Sequence, residues 1–297
     1  MAQAGPPAGI VVLRHGRRED SMNPEWQQQA RWPWDTPLCA TETEIAEAVA
    51  RMQGNGLTRF DVVYTSPFLR CLETAERILG ALGCGDVPVL IHRGLSEVHN
   101  PGLLFKAHGR PTMAQRARLW LWRSTYPRHS RPVRERFGVK ARLVRESAWP
   151  PLPESEFAAA QRYSQVIMQL AAKHAGQQVL VVSHGKAVQV AHEAMGCSGR
   201  VLQVSFAGFI ACRAKPDRKS RDGGDSSRKG RDGKDASHKG PDGGRRSADG
   251  SQAPAVTRIW SGGRSGGGGV TWGSLELDPG MPYFMVDVIQ GSSPDMM

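Results

Sequence analysis

Along the first two thirds of the chain, short apolar runs alternate with longer stretches in which apolar residues recur every three to four positions. Ile10–Leu13, Asp61–Tyr64, Val87–Ile91 and Val179–Val182 are brief, β-branched and bounded by polar or glycine-containing segments. They read as strands buried on both faces. Val201–Cys212 and Val270–Leu277 predict two further strands. Between them, Ile45, Ala48, Val49 and Met52 precede Gly54; Leu72, Ala75 and Leu79 precede Gly83; Phe157, Ala160, Ile167, Leu170 and Ala171 precede Gly176. Each set lies on one face of a helix, and each glycine suits a left-handed C-cap. Strands alternating with helices predict an α/β protein, a three-layer α/β/α sandwich around a mainly parallel sheet.

The pattern fails from Lys215 to Pro254, where large apolar residues almost vanish. Arg218–Gly223, Arg228–Gly233 and His238–Gly243 repeat every ten residues, with Ser227, Ser237 and Ser247 closing the units. Units with no apolar face cannot stack as a solenoid or offset the entropy of ordering. Residues 215–269, including the run Gly266–Gly269, are therefore expected to form a disordered, basic, glycine-rich insertion in one domain. Its core would span about 9–212, with a last strand in about 270–290.

Composition narrows the function classes. The chain of 297 residues carries a formal charge of +11, spread over both the insertion and the rest, with no block of like charge. The repeat alternates charges and lacks aromatics to stack on bases, which argues against a nucleic-acid partner. No apolar run approaches a membrane span, and no membrane partner is expected. Five scattered cysteines form no zinc-like spacing. Together these features predict a soluble cytoplasmic protein, with the nucleus also open, and leave the oligomeric state open.

Candidate chemistry clusters at strand ends. Leu13-Arg14-His15-Gly16, Thr65-Ser66-Pro67-Phe68-Leu69-Arg70 and Val182-Ser183-His184-Gly185 each follow a predicted strand. In a parallel sheet these ends share one edge, where ligands bind. That edge would gather Arg14, His15, Arg70 and His184. Two guanidiniums and two imidazoles in one place call for an anion, and a phosphate matches the guanidinium fork. A neutral imidazole can attack phosphorus, Gly16 would let the phosphoryl group approach the backbone, and Glu97 is best placed along the chain to protonate the leaving oxygen. Glu19, Glu73, Glu154 and Glu156 compete for that last role. No Asp-rich or His/Cys cluster has metal spacing, so no metal or cofactor is expected.

These segments resemble the histidine phosphatase superfamily, also called phosphoglycerate mutase-like. Arg14-His15-Gly16 matches its opening motif, Ser66-Pro67-Phe68-Leu69-Arg70-Cys71-Leu72-Glu73-Thr74-Ala75 its second, and Ser183-His184-Gly185 its third, all in family order. The resemblance spans roughly Gly9 to Ala211. It implies a phosphoglycerate mutase-like fold in which His15 is phosphorylated, Arg14, Arg70 and His184 hold the phosphoryl group, and Glu97 is the acid. Trp32–Leu38, Glu154-Ser155, Phe157 and Arg162 resemble in particular the ubiquitin-associated, SH3-containing phosphatases. In that branch a glutamate stands where Arg17 stands here, and Arg18 aligns with a second arginine that would add a phosphate contact.

A lone histidine is ordinarily a hydrogen-bonded structural residue; three motifs in order reverse that expectation for His15 and His184. The arginine- and tryptophan-rich stretch His99–Trp149 is expected to form either a substrate-selecting lid or an aromatic helical cap. The expected activity is hydrolysis of a phosphomonoester, small molecule or phosphoprotein, through phosphohistidine. A phosphoglycerate-type mutase and a non-catalytic phosphate-binding scaffold are the alternatives.

Overall fold

The computed structural model describes residues 9–39, 43–137, 141–195, 201 and 203–213. The repeat region and the predicted strand Val270–Leu277 lie outside the described residues. The described strands are β1 (Gly9–Arg14), β2 (Val62–Thr65), β3 (Val89–Ile91), β4 (Ala141–Leu143), β5 (Gln178–Ser183) and β6 (Phe209–Arg213). The helices are α1 (Glu19–Met22), α2 (Trp26–Gln29), α3 (Thr43–Gly54), α4 (Leu69–Ala81), α5 (Pro101–Phe105), α6 (Met113–His129), α7 (Arg131–Arg136), α8 (Glu156–Lys173) and α9 (Gly185–Ala194). A 3₁₀ turn at Arg93–Leu95 follows β3.

The sheet runs β4-β3-β2-β5-β1-β6, parallel except for β6, which is antiparallel to β1. Alternation along each strand splits the apolar residues between two layers. Val11, Leu13, Val63, Leu180 and Val182 face the layer containing α3, α4 and α6. Ile10, Val12, Val62, Tyr64, Val179 and Val181 face α8 and α9. Each fully buried Val or Leu contributes about 1.5–3 kcal/mol, which is why these runs carry no polar positions.

Two sequence expectations change and one holds. Gly54 lies within α3; the left-handed residue is Gly56, followed by a bond from Leu57 N to Met52 O. Gly83 does close α4, with Cys84 N bonding Leu79 O and Gly83 N bonding Gly80 O, a Schellman arrangement. The strand expected from Val201 begins only at Phe209, because Phe206-Ala207 forms a turn with Ala207 in the left-handed region.

The order along the sheet reverses at β5, which enters between β2 and β1. This switch point supplies the crevice for a ligand at the carboxyl edge. Register aligns the strand ends: Arg14 pairs with Ser183, and Thr65 with Val182. The ladder runs one residue further, His15 N to Ser183 O at 2.9 Å and Ser66 N to Val182 O at 2.9 Å.

No described helix is long and apolar enough to cross a membrane. Within His99–Trp149, helices α5, α6 and α7 form a cap and β4 joins the sheet; Trp122, Tyr126 and Trp149 pack on one another, and Trp122 packs on Phe68.

Candidate active site

His15 directly follows β1, and its ring is almost fully buried. Its Nδ1 lies 2.8 Å from the carbonyl oxygen of Gly16. A carbonyl only accepts, so Nδ1 carries the proton and Nε2 keeps a free lone pair. Burial, then the cationic field of Arg70 with His184 and Arg14, holds the imidazole well below the usual histidine range. The ring is therefore neutral at physiological pH, the form that can act as a nucleophile.

The expectation for Gly16 needs correction. Its N–H donates to Thr74 Oγ1 at 2.9 Å, and a β-carbon there would press on Ile45 at 3.1 Å. Gly16 is small to fit the α3 packing; its backbone donor is already engaged.

Arg70 lies in the first turn of α4 and is 1% exposed. One guanidinium nitrogen, Nη1, donates to Trp34 O at 2.9 Å; the other, Nη2, lies 3.4 Å from Glu97 Oε2. His184 opens α9 with Nε2 2.9 Å from Ser66 Oγ and Nδ1 3.1 Å from the same Glu97 Oε2. Arg70 Nη2 and His184 Nδ1 thus converge on one carboxylate oxygen. Burial alone would raise the Glu97 pKa, but the combined field of His184, Arg70 and His15 holds it well below the usual carboxylate range. Burial brings His184 down to about 4 despite Glu97.

Arg14 binds Val204 O and lies with its guanidinium carbon 4.2 Å over the ring of Phe206. Burial brings it down to about 10, so it remains cationic at neutral pH. Nε of Arg14 and of Arg70 is buried without an acceptor, a costly state for a cation that an oxyanion would relieve.

Arg18 sits beside the cluster and pairs with Asp20 at 3.0 Å. Burial, then repulsion from Arg70, lowers its pKa. Arg17 pairs with Glu44 on α3.

Three of the four competing glutamates are engaged elsewhere. Glu73 accepts from Leu38 N, Glu154 is held by Arg162 and His99 N, and Glu156 pairs with Lys186. Among the described residues, Glu97 alone of the glutamates groups with the two histidines, with one donor atom from each of His15, Glu97 and His184 lying within 4.8 Å of the others. These three are also a conceivable metal set. Arg70 reaches into the same space, and both His184 nitrogens already face side-chain partners, so the donor chemistry suits an anion better than a cation. Cys71, next to His184, is no rival nucleophile: burial pushes its thiol up to about 12.

The family description for the histidine phosphatase superfamily (branch 1) matches residues 10–199. The chain belongs to this superfamily. A 2,3-bisphosphoglycerate-dependent phosphoglycerate mutase of Methylobacterium radiotolerans is 34% identical over 93 residues, covering 30% of this chain and 40% of that protein. One from Bartonella quintana is 33% identical over 92 residues, covering 30% of this chain and 41% of that protein. The match thus spans about 40% of the length of these curated relatives. Among solved structures, the ecdysone phosphate phosphatase of Bombix mori aligns with a TM-score of 0.45 at 16% identity, covering 73% of this chain and 97% of that one. A phosphoglycerate mutase of Bacillus anthracis aligns with a TM-score of 0.43 at 21% identity, covering 70% and 89%.

Two contributors at this superfamily site escape a reading of the sequence. Phe206, which flanks both His15 and Arg14, falls inside a segment that its β-branched composition marks as strand. The carbonyl of Trp34 holds Arg70, and a backbone group leaves no side-chain signal.

Proposed function

We propose that the chain hydrolyses phosphomonoesters through a covalent phosphohistidine on His15 Nε2, without a metal. The observation that carries this reading is the fixed tautomer of His15: Nδ1–H is held by Gly16 O, which leaves Nε2 free and neutral amid Arg14, Arg70 and His184.

In the structure the Glu97 carboxylate is the acceptor for Arg70 and His184. A substrate phosphoryl group takes over those donors. Glu97 then faces an anion instead of two cationic or polar donors, its pKa rises, and it takes up a proton. His15 Nε2 attacks phosphorus, the bond to the ester oxygen breaks, and Glu97 delivers its proton to that oxygen, releasing an alcohol. Water then gives a proton to the Glu97 carboxylate and attacks phosphorus; the P–N bond breaks, freeing His15 and inorganic phosphate. Arg18, offset toward Asp20, adds positive field at the edge of the cluster and supports a contact to the bound phosphate. With Trp32–Leu38 and Glu154–Arg162 it favours kinship with the ubiquitin-associated, SH3-containing branch. The substrate belongs to the phosphorylated small molecules or phosphoproteins.

Mutase activity is the second reading, favoured by the names of the curated relatives. Against it, cap arginines that would grip a small anionic substrate are tied to the protein's own carbonyls: Arg116 to Leu152 O, Arg118 to Arg31 O and Arg123 to Pro150 O. The purified protein, incubated with a panel of phosphate esters, is expected to release inorganic phosphate. It is expected not to interconvert 3- and 2-phosphoglycerate when primed with 2,3-bisphosphoglycerate. Interconversion without phosphate release would replace the phosphatase reading with the mutase.

A further inference from the structure

Asp35 is a fully buried carboxylate that the chemistry above does not use. Oδ1 accepts from Leu69 N at 2.8 Å, the backbone N–H immediately before Arg70. Oδ2 accepts from Trp122 Nε1 at 3.0 Å, on cap helix α6. The adjacent residue, Trp34, supplies the carbonyl that holds Arg70 Nη1 at 2.9 Å. One dipeptide therefore grips Arg70 at both ends, the backbone at the start of its helix and the guanidinium at its tip.

The local sequence cannot do this. The N-cap residue of α4 is Phe68, whose side chain offers no acceptor, and the following N–H would be an orphan donor at a buried helix start. Asp35 fills the cap from 34 positions away in the chain. Its negative charge also lies near the positive helix end and Arg70. Burial pushes its pKa up to about 6 in spite of those partners, so keeping a carboxylate here is costly and an apolar residue would pack without that cost.

We infer that Asp35 is a positioning residue that ties the helical cap to Arg70 and presets that guanidinium for the phosphoryl group. The inference rests on the anion site proposed above. Its ring surroundings fit the role: Phe68 packs on Trp122 with centroids 5.1 Å apart, and the Arg70 guanidinium lies 4.5 Å over Phe68. A shift of α6 would reach Arg70 through both contacts.

The test is calorimetric binding of inorganic phosphate to the full chain, which needs no turnover, on the wild type, Asp35→Asn, Arg70→Lys and the double variant. Wild type is expected to bind phosphate, and Asp35→Asn to bind it about tenfold more weakly, within the range of coupling inside one hydrogen-bonded network. In the Arg70→Lys background the same change is expected to cost less than twofold. Unchanged affinity in Asp35→Asn, or an equal loss in both backgrounds, would overturn the positioning role. If Asp35→Asn does not fold, Trp122→Phe removes one of the two donors and carries the same comparison with the same outcomes. A wild type that binds no phosphate would overturn the anion site itself, and this inference with it.

Discussion

His15, Ser66 and His184 are held by the sheet, whereas Glu97 is held by side chains. His15 and Ser66 extend the β1 and β2 ladders by one residue against β5, and His184 directly follows the last residue of β5, so strand register sets their spacing. The loop after β3 has no such ladder. Arg162 donates to Gly94 O and Ser96 O, Tyr163 OH to Ser96 O, and Ser183 Oγ to Leu95 O. Glu154 in turn binds Arg162 through two oxygens and takes His99 N. His15 and His184 thus sit at strand ends of the central sheet, while the acid hangs on a removable brace. Proton donation should accordingly be separable from nucleophilic attack by mutation.

The largest break is at the acid itself. Glu97→Gln should slow an alkyl phosphate by on the order of 10²- to 10⁴-fold, as for general acid catalysis, and slow p-nitrophenyl phosphate far less, because nitrophenolate leaves without a proton. Steady-state kcat/KM on the two esters checks this, because it reports only the steps up to release of the alcohol and not the hydrolysis of phosphohistidine that both esters share. Equal losses would make Glu97 a phosphate-site residue.

A smaller effect with the same signature is expected from the brace. Arg162→Ala should lower kcat/KM on the alkyl ester by roughly tenfold while sparing that on the nitrophenyl ester, since it misplaces the acid and leaves the nucleophile on its strand. It should also destabilise the fold by about 3–5 kcal/mol, the cost of stranding a buried partner such as Glu154. Urea denaturation gives the second number, and equal kinetic losses on both esters would show that the brace serves the whole edge.

The smallest effect is on pH. His15, His92, His99 and His184 all have folded pKa values below the unfolded value near 6.5, chiefly through burial. The unfolded chain therefore binds more protons below that pH, and stability is lost as pH falls from about 6.5 toward 4. Asp35, raised to about 6 by burial, works in the opposite sense: its contribution is lost as pH rises through 6. Four groups outweigh one, so the urea midpoint should fall between pH 7 and pH 5. A midpoint that rises would contradict the neutral histidine cluster.

What the sequence reveals divides along the same line. The motifs at His15, Arg70 and His184 are legible because each follows a buried β-branched run, and contiguous residues deliver both the strand and the side chain. Glu97 is harder, since its position depends on Arg162, 65 residues away, and Glu73 and Glu154 are excluded only by partners that folding supplies. The edge strand β4, Ala-Arg-Leu, has no apolar run because none of its residues is fully buried. Asp35 as the cap of α4 is a contact across the fold, with no local spacing to betray it.

The central claim is a phosphoryl group on one named atom. Wild-type protein mixed with a phosphate ester and quenched within milliseconds, then digested and analysed by mass spectrometry and phosphorus NMR, should carry an acid-labile, base-stable phosphoryl group on His15 Nε2, absent from His15→Ala. Phosphate on serine, tyrosine or Cys71, or a His15→Ala variant that hydrolyses the ester at the wild-type rate, would contradict the account.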